Sequence, residues 1–167
     1  SLHKQRSRIL KRVGAIIERP DLYLYLSGRE NLKLFARMSG VYLTEKRMNH
    51  FLELVGLAER GKNKVNTYSL GMKQRLGIAA ALVHDPELLI LDEPTNGLDP
   101  QGIAEIRKLI RHLSRDEKKT ILVSSHLLSE VEQIANRMLI IDKGVAVRSE
   151  EHTSELQSPC NLVCRLL

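Results

Sequence analysis

The sequence predicts an α/β domain with a parallel-sheet core and a helical subdomain, and three observations predict it. Leu88-Leu89-Ile90-Leu91 is a run of large aliphatics that ends abruptly in Asp92-Glu93. Such a run suits a strand buried on both faces, as in a parallel sheet. Val13–Ile17 and Thr120–Ser125 are further short apolar runs, ended by Glu18 and His126. Between these runs lie stretches with helical periodicity and helix-capping signals. Polar residues at the carboxyl ends of such strands sit where open α/β sheets place their ligands. Carboxylates there need a compensating charge, and magnesium on a phosphate is the commonest source.

At 167 residues the chain is at most one domain, long enough for a real core. No apolar run approaches the ~18–20 residues needed to cross a bilayer. The opening residues do not read as a secretory leader, because their basic residues are not followed by an apolar stretch. The expectation is a soluble chain. Its formal net charge is +6. The basic residues are spread along helices (Lys4, Arg6, Arg8, Lys11, Arg12; Arg107, Lys108, Arg111) without aromatic interleaving. That pattern favours a solvated face, near the inner membrane surface, over nucleic-acid binding.

Arg148–Leu167 stands apart. Its first half has no helical or strand periodicity, and RSEEHTSELQS and NLVCRLL resemble the constant parts of a sequencing adaptor read through in frame. The alternative is a genuine polar tail. Both cysteines, Cys160 and Cys164, fall here, so residues 1–147 hold none and support no thiol chemistry. Over those residues 24 basic side chains stand against 17 acidic, a net +7.

In chain order, Val13–Ile17 reads as a strand, ended by Glu18 and the breaker Pro20. Tyr23 and Tyr25 mark an exposed loop. Ser27 with Glu30 forms a capping box for a helix with Leu32, Phe35 and Ala36 on one face, stopped at Gly40. Thr44 caps a second helix with the stripe Met48, Phe51, Leu52 and Val55, stopped at Gly56. Asn63–Tyr68 reads as a polar linker. Ser69 is the N-cap of a third, amphipathic helix, with Gly71 in its first turn and Met72, Leu76, Ala79, Ala80 and Val83 sharing a face. A capped helix start beside a glycine offers N–H groups to an anion. Asp85-Pro86 turns into the Leu88–Leu91 strand. Asp99-Pro100 starts a helix with cap and N1 proline in order, and Ile103, Ile106, Leu109, Ile110 and Leu113 face the sheet. After Thr120–Ser125, a helix carries Leu128, Val131, Ile134 and Ala135. Arg137–Ile141 then returns as a strand, and Asp142-Lys143-Gly144 turns into Val145–Val147.

The stretch Ser69–Asp99, YSLGMKQRLGIAAALVHDPELLILDEPTNGLD with its preceding tyrosine, resembles ATP-binding cassette (ABC) proteins. Ser69–Arg75 is similar to their signature motif, Leu88–Glu93 to their Walker B strand, and Asn96–Asp99 to their D-loop. The bacitracin and lantibiotic-exporter subgroup resembles it best. The resemblance implies a partial P-loop NTPase fold, with a helical subdomain over about residues 27–84 and the remaining catalytic core over 85–147. It implies ATP and Mg2+ as cofactors, a membrane permease as partner, a homodimer or a paired ABC ATPase subunit, and the cytoplasmic face of the membrane as location, with no nucleic acid expected.

By the same resemblance, Asp92 holds magnesium through water, Glu93 orients or deprotonates the attacking water, and His126 contacts the γ-phosphate. Glu18 stands where the family has its Q-loop glutamine, which touches the metal. Taken alone, it also reads as a surface glutamate opening a loop. Ser69 and Gly71 would grip nucleotide on the opposite subunit, and Asp99 would tie the two sites together. Leu70 replaces the first glycine of the signature and Met72 its final glutamine, whereas Gly71, Gln74 and Arg75 remain. No G-x-x-x-x-G-K-[ST] phosphate loop occurs in the sequence. In the family that loop precedes the Q-loop, so a fragment is expected, one that binds ATP poorly and turns over none by itself. The function implied is the energy-coupling ATPase of an exporter of a peptide antibiotic or similar amphiphile. The alternative is a ribosome-associated cassette protein, which usually has histidine where Gly97 stands.

Overall fold

The computed structural model describes Arg6 and residues 8–142, 145–151 and 162–166. Its strands are β1 (Val13–Ile16), β2 (Leu88–Asp92), β3 (Thr120–Ser124), β4 (Arg137–Asp142), β5 (Val145–Glu151) and β6 (Leu162–Leu166). Among the described residues they form one sheet in the order β1-β2-β3-β6-β4-β5. Neighbours are parallel throughout, except that β5 runs antiparallel to β4. The register sets the site. Val13 to Ile16 pair with Leu88 to Leu91, and Leu88 to Asp92 pair with Thr120 to Ser124. The chain therefore leaves β1, β2 and β3 at the same end of the sheet.

The helices are α1 (Gly28–Met38), α2 (Glu45–Leu54), α3 (Leu70–Leu82), α4 (Pro100–Arg115) and the single turn α5 (Leu128–Val131). Each of the four longer ones starts at the residue the sequence nominates. Ser27 and Glu30 cap each other reciprocally, Thr44 accepts from Arg47 N, Ser69 from Met72 N, and Asp99 from Gly102 N. Gly40 and Gly56 take the left-handed conformation, at φ 73° and 65°, just past α1 and α2. The stripes Leu32/Ala36, Met48/Phe51/Leu52/Val55 and Ile106/Leu109/Ile110/Leu113 join one continuous core with Leu89, Leu91, Ile121 and Val123 of the sheet.

Several expectations change. Helix α3 is not amphipathic, because Gln74, Gly77, Ile78 and Leu82 are buried along with Leu76, Ala79 and Ala80. It runs through the middle of the fold, packed by α1, α2, α4 and β1, and no side is left wholly to solvent. Strand β2 is sealed on the face of Leu89 and Leu91, whereas Leu88 and Ile90 on the other face are only half-buried. The linker Asn63–Tyr68 is anchored by buried Val65 and Tyr68, the phenol donating to Arg60 O at 2.7 Å. The helix expected after His126 is cut to one turn, since β4 begins six residues after it ends. Apart from these changed expectations, β5 continues to Glu151 and β6 lies between β3 and β4. The turn residues Lys143 and Gly144, and Cys160, lie outside the described residues.

Candidate active site

Two acidic residues leave their strands in an unusual way. Glu18, two residues past β1, has φ 56°, and Glu93, immediately past β2, has φ 47°. Non-glycine residues rarely adopt this left-handed conformation, and where they do the surroundings must hold it. For Glu18 the turn closes with Arg19 N donating to Ile17 O at 2.7 Å, and the buried Gln74 amide donates to Glu18 O at 3.4 Å. Pro20 behind it packs onto Gly77 of α3, where a methyl group would lie 2.4 Å from Pro20 Cβ. For Glu93 the backbone N–H donates to both Ser124 O and Ser124 Oγ, each at 3.1 Å.

The parallel register places Ser124 beside Asp92, and the serine hydroxyl donates to Asp92 Oδ1. Glu18, Asp92 and Glu93 consequently line one cavity of about 500 Å³, together with Ser124, Gln74 and Leu70. His126 follows β3 and places Nδ1 2.8 Å from Glu93 Oε2. Its ring is about half exposed, and the Glu93 side chain is about a quarter exposed. A solvent-accessible imidazole is thus attached to a more sheltered carboxylate at the rim of the cavity.

The remaining candidate residues lie elsewhere. Ser69 is exposed and serves α3 as its cap, at 3.2 Å to Met72 N. Gly71 sits over Leu98, and Leu70 rests against Gly97, whose φ is 75°. The start of α3 therefore leans on the loop after β2. Asp99 caps α4 at 3.0 Å to Gly102 N. Ser69, Gly71, Asp99 and His126 do not line the cavity. Ser124 and Gln74 do; the sequence marks Gln74 only as a retained signature residue and does not mark Ser124 for the site. The only signal for Ser124 was its place at the tip of an apolar strand paired with the one that carries Asp92.

Around the cavity the Glu18, Asp92 and Glu93 carboxylates and the Ser124 hydroxyl supply the hard oxygen ligands that magnesium takes, alongside the carboxamides of Gln74 and Asn96 and the Arg19 guanidinium. Among the described residues no group of three or more His, Cys, Asp or Glu could hold a metal unaided. Such a set fits an ion that keeps several waters and draws its other ligands from substrate phosphates.

A parallel sheet with acidic residues converging at adjacent strand ends, and a capped helix beside them, defines an open α/β domain with its ligand cavity at the carboxyl ends of its strands. A family model described as ABC transporter matches residues 1–96, and the chain belongs to this family. It is 53% identical over 145 residues to the uncharacterized ABC transporter ATP-binding protein YhcH of Bacillus subtilis (strain 168), covering 86% of this chain and 47% of that protein. It is 51% identical over 141 residues to the bacitracin transport ATP-binding protein BcrA of Bacillus licheniformis, covering 84% and 46%. Among solved structures, cbiO1 from Clostridium perfringens, part of the ABC transporter complex cbiONQ, superposes with a TM-score of 0.80 at 26% identity, covering 89% of this chain and 60% of that one. The chain spans about half the length of the curated relatives it matches. Among the described residues no helix is long and apolar enough to cross a membrane.

Proposed function

We propose that this chain forms part of the ATP-hydrolysing subunit of a membrane exporter, working with Mg2+ and exporting a peptide antibiotic or similar amphiphile. The convergence of Glu18, Asp92 and Glu93 on one cavity, with His126 tied to Glu93, carries this reading. Asp92 and Glu18 are the residues that would hold the magnesium ion, which when bound supplies positive charge to offset the triphosphate. Phosphoryl transfer to water asks the protein mainly for positioning and electrostatic stabilisation. Glu93 accepts the proton of the water whose oxygen attacks the γ-phosphorus, as the bond to the departing ADP oxygen breaks. His126 holds the Glu93 carboxylate before substrate arrives and then turns to the γ-phosphate. Ser69 and Gly71, outside the cavity on an exposed helix start, face nucleotide held by a second cassette, either an identical copy or a paired ABC subunit. Asp99 lies on the same side. The segments around residues 27–84 and 85–147 act as helical and core subdomains.

Similarity to a bacitracin transport ATP-binding protein supports the exporter and its peptide cargo. The individually exposed Tyr25, Met38 and Tyr42 of the helical segment offer apolar contacts to a permease at the cytoplasmic face of the membrane. The test is Glu93→Gln in the assembled transporter. Loss of a positioned general base costs about 10²–10⁴-fold in turnover, while Mg·ATP binding persists. Wild-type turnover by this variant would refute the assignment.

A further inference from the structure

Two segments meet at the rim of the cavity: the loop 93–99 after β2, and residues 125–130 after β3, which run into α5. Among the described residues, two side-chain hydrogen bonds join them. One is the exposed pair Glu93–His126. The other has no part in the chemistry above: Thr95 Oγ1 donates to Glu130 Oε2 at 2.5 Å. Thr95 is only 8% exposed, so its hydroxyl needs a partner within the protein. A bond to a carboxylate is among the stronger ones available to it.

Thr95 also holds the turn it sits in. Asn96 N donates to Glu93 O at 3.1 Å, and Leu98 N donates to Thr95 O at 3.2 Å. The backbone from Glu93 to Leu98 is therefore two overlapping turns with Thr95 inside them. On the other side, Glu130 N donates to Leu127 O, and the next residue, Val131, is 1% exposed and anchored in the core. Glu130 lies four residues past His126, on a short turn whose end is fixed.

We propose that Glu130 is a positioning residue. Through Thr95 it keeps the left-handed Glu93 and the Asn96–Leu98 turn in place when His126 leaves Glu93 to meet substrate. The exposed pair is the contact that must exchange during turnover, and the sheltered pair is the one that holds the two segments together meanwhile. This inference rests on the ATPase reading for its catalytic consequence, but its structural part does not.

The experiment uses four variants: Thr95→Ser, which keeps the hydroxyl, Thr95→Val, which keeps the shape without it, Glu130→Ala, and the Thr95→Val/Glu130→Ala pair. Losing a bond of this kind is worth roughly tenfold in a local equilibrium. In the full chain, amide exchange at Asn96 and Leu98 should speed up about tenfold in Thr95→Val and stay near wild type in Thr95→Ser. In the assembled transporter, Thr95→Val should lower kcat about tenfold with KM within twofold, Thr95→Ser should restore it, and the double variant should be no worse than the more impaired single. Unchanged exchange in Thr95→Val, equal impairment of Thr95→Ser and Thr95→Val, or multiplying losses in the double variant would each overturn the proposal. If exchange responds as stated but a wild-type transporter assembled with the complete subunit, phosphate loop included, shows no turnover, the ATPase reading fails and the Thr95–Glu130 link stands.

Discussion

Gly77→Ala sets two opposing effects against each other at one position. Gly77 lies inside α3, and replacing an interior helical glycine by alanine ordinarily stabilises by about 1 kcal/mol. Here the added methyl would lie 2.4 Å from Pro20 Cβ and 2.8 Å from Pro20 Cγ. A proline ring cannot rotate out of the way, and relief of such overpacking costs typically 1–3 kcal/mol. The net expectation is a loss of roughly 0–2 kcal/mol, a small change in urea or thermal unfolding. The site should respond far more. Ordinary contact begins near 3.4 Å, so Pro20 must retreat by about 1 Å, and displacement on that scale can cost 10²-fold in rate. Pro20 is two residues from Glu18, whose carbonyl is held by Gln74 one turn before Gly77. The assay is unfolding of the chain paired with ATPase measurement in the assembled transporter. A variant about 1 kcal/mol more stable than wild type with unaltered turnover would refute the idea that α3 fixes the Glu18 segment.

Ser124→Ala removes the donor to Asp92 Oδ1 and one of two acceptors for Glu93 N. Bonds to charged groups contribute about 1.5–3 kcal/mol, less when partly solvated, so urea unfolding should show a loss on the order of 1–2 kcal/mol. The Glu30 carboxyl accepts from Ser27 Oγ and Ser27 N, both at 2.7 Å, and these bonds, the side-chain one first, hold it below the usual carboxylate range. A carboxyl depressed in the folded state contributes stability above its unfolded pKa, about 4.3, and loses it as pH falls through the folded value. Glu30→Gln should therefore flatten the acid limb of a melting-temperature profile, with the gap to wild type closing at low pH. A constant gap from neutral pH to below the carboxylate range would count against the capping box as its cause.

What could be read in the sequence was mostly local. Ser27, Thr44, Ser69 and Asp99 announce their helices because a cap is decided by a residue and its neighbours three places on. The strand-end acids were visible because a charge breaking an aliphatic run is a one-dimensional signal. The left-handed turns at Glu18 and Glu93 were not, since their support comes from Gln74, Pro20 and Ser124, far away in sequence. Periodicity misjudged α3 for a related reason: it counts apolar residues along one helix and cannot tell that elements close in on several sides. Val65 and Tyr68 were hidden in a stretch whose average is polar. The Thr95–Glu130 bond depends on how two segments from different strands meet, which no spacing encodes.

The position of β6 changes what trimming the chain means. Neighbouring strands are about 4.8 Å apart, so β3 and β4 stand roughly twice that distance from one another, with β6 between them among the described residues. Cutting after Val147, a natural place to stop if the rest looks like borrowed sequence, pulls a plank from the middle of the floor. Two rows of unpaired amides and carbonyls then confront each other across the gap, inviting strands from other molecules. Binding or turnover measured on that shortened polypeptide would describe a split sheet, and a fair comparison keeps the gap filled.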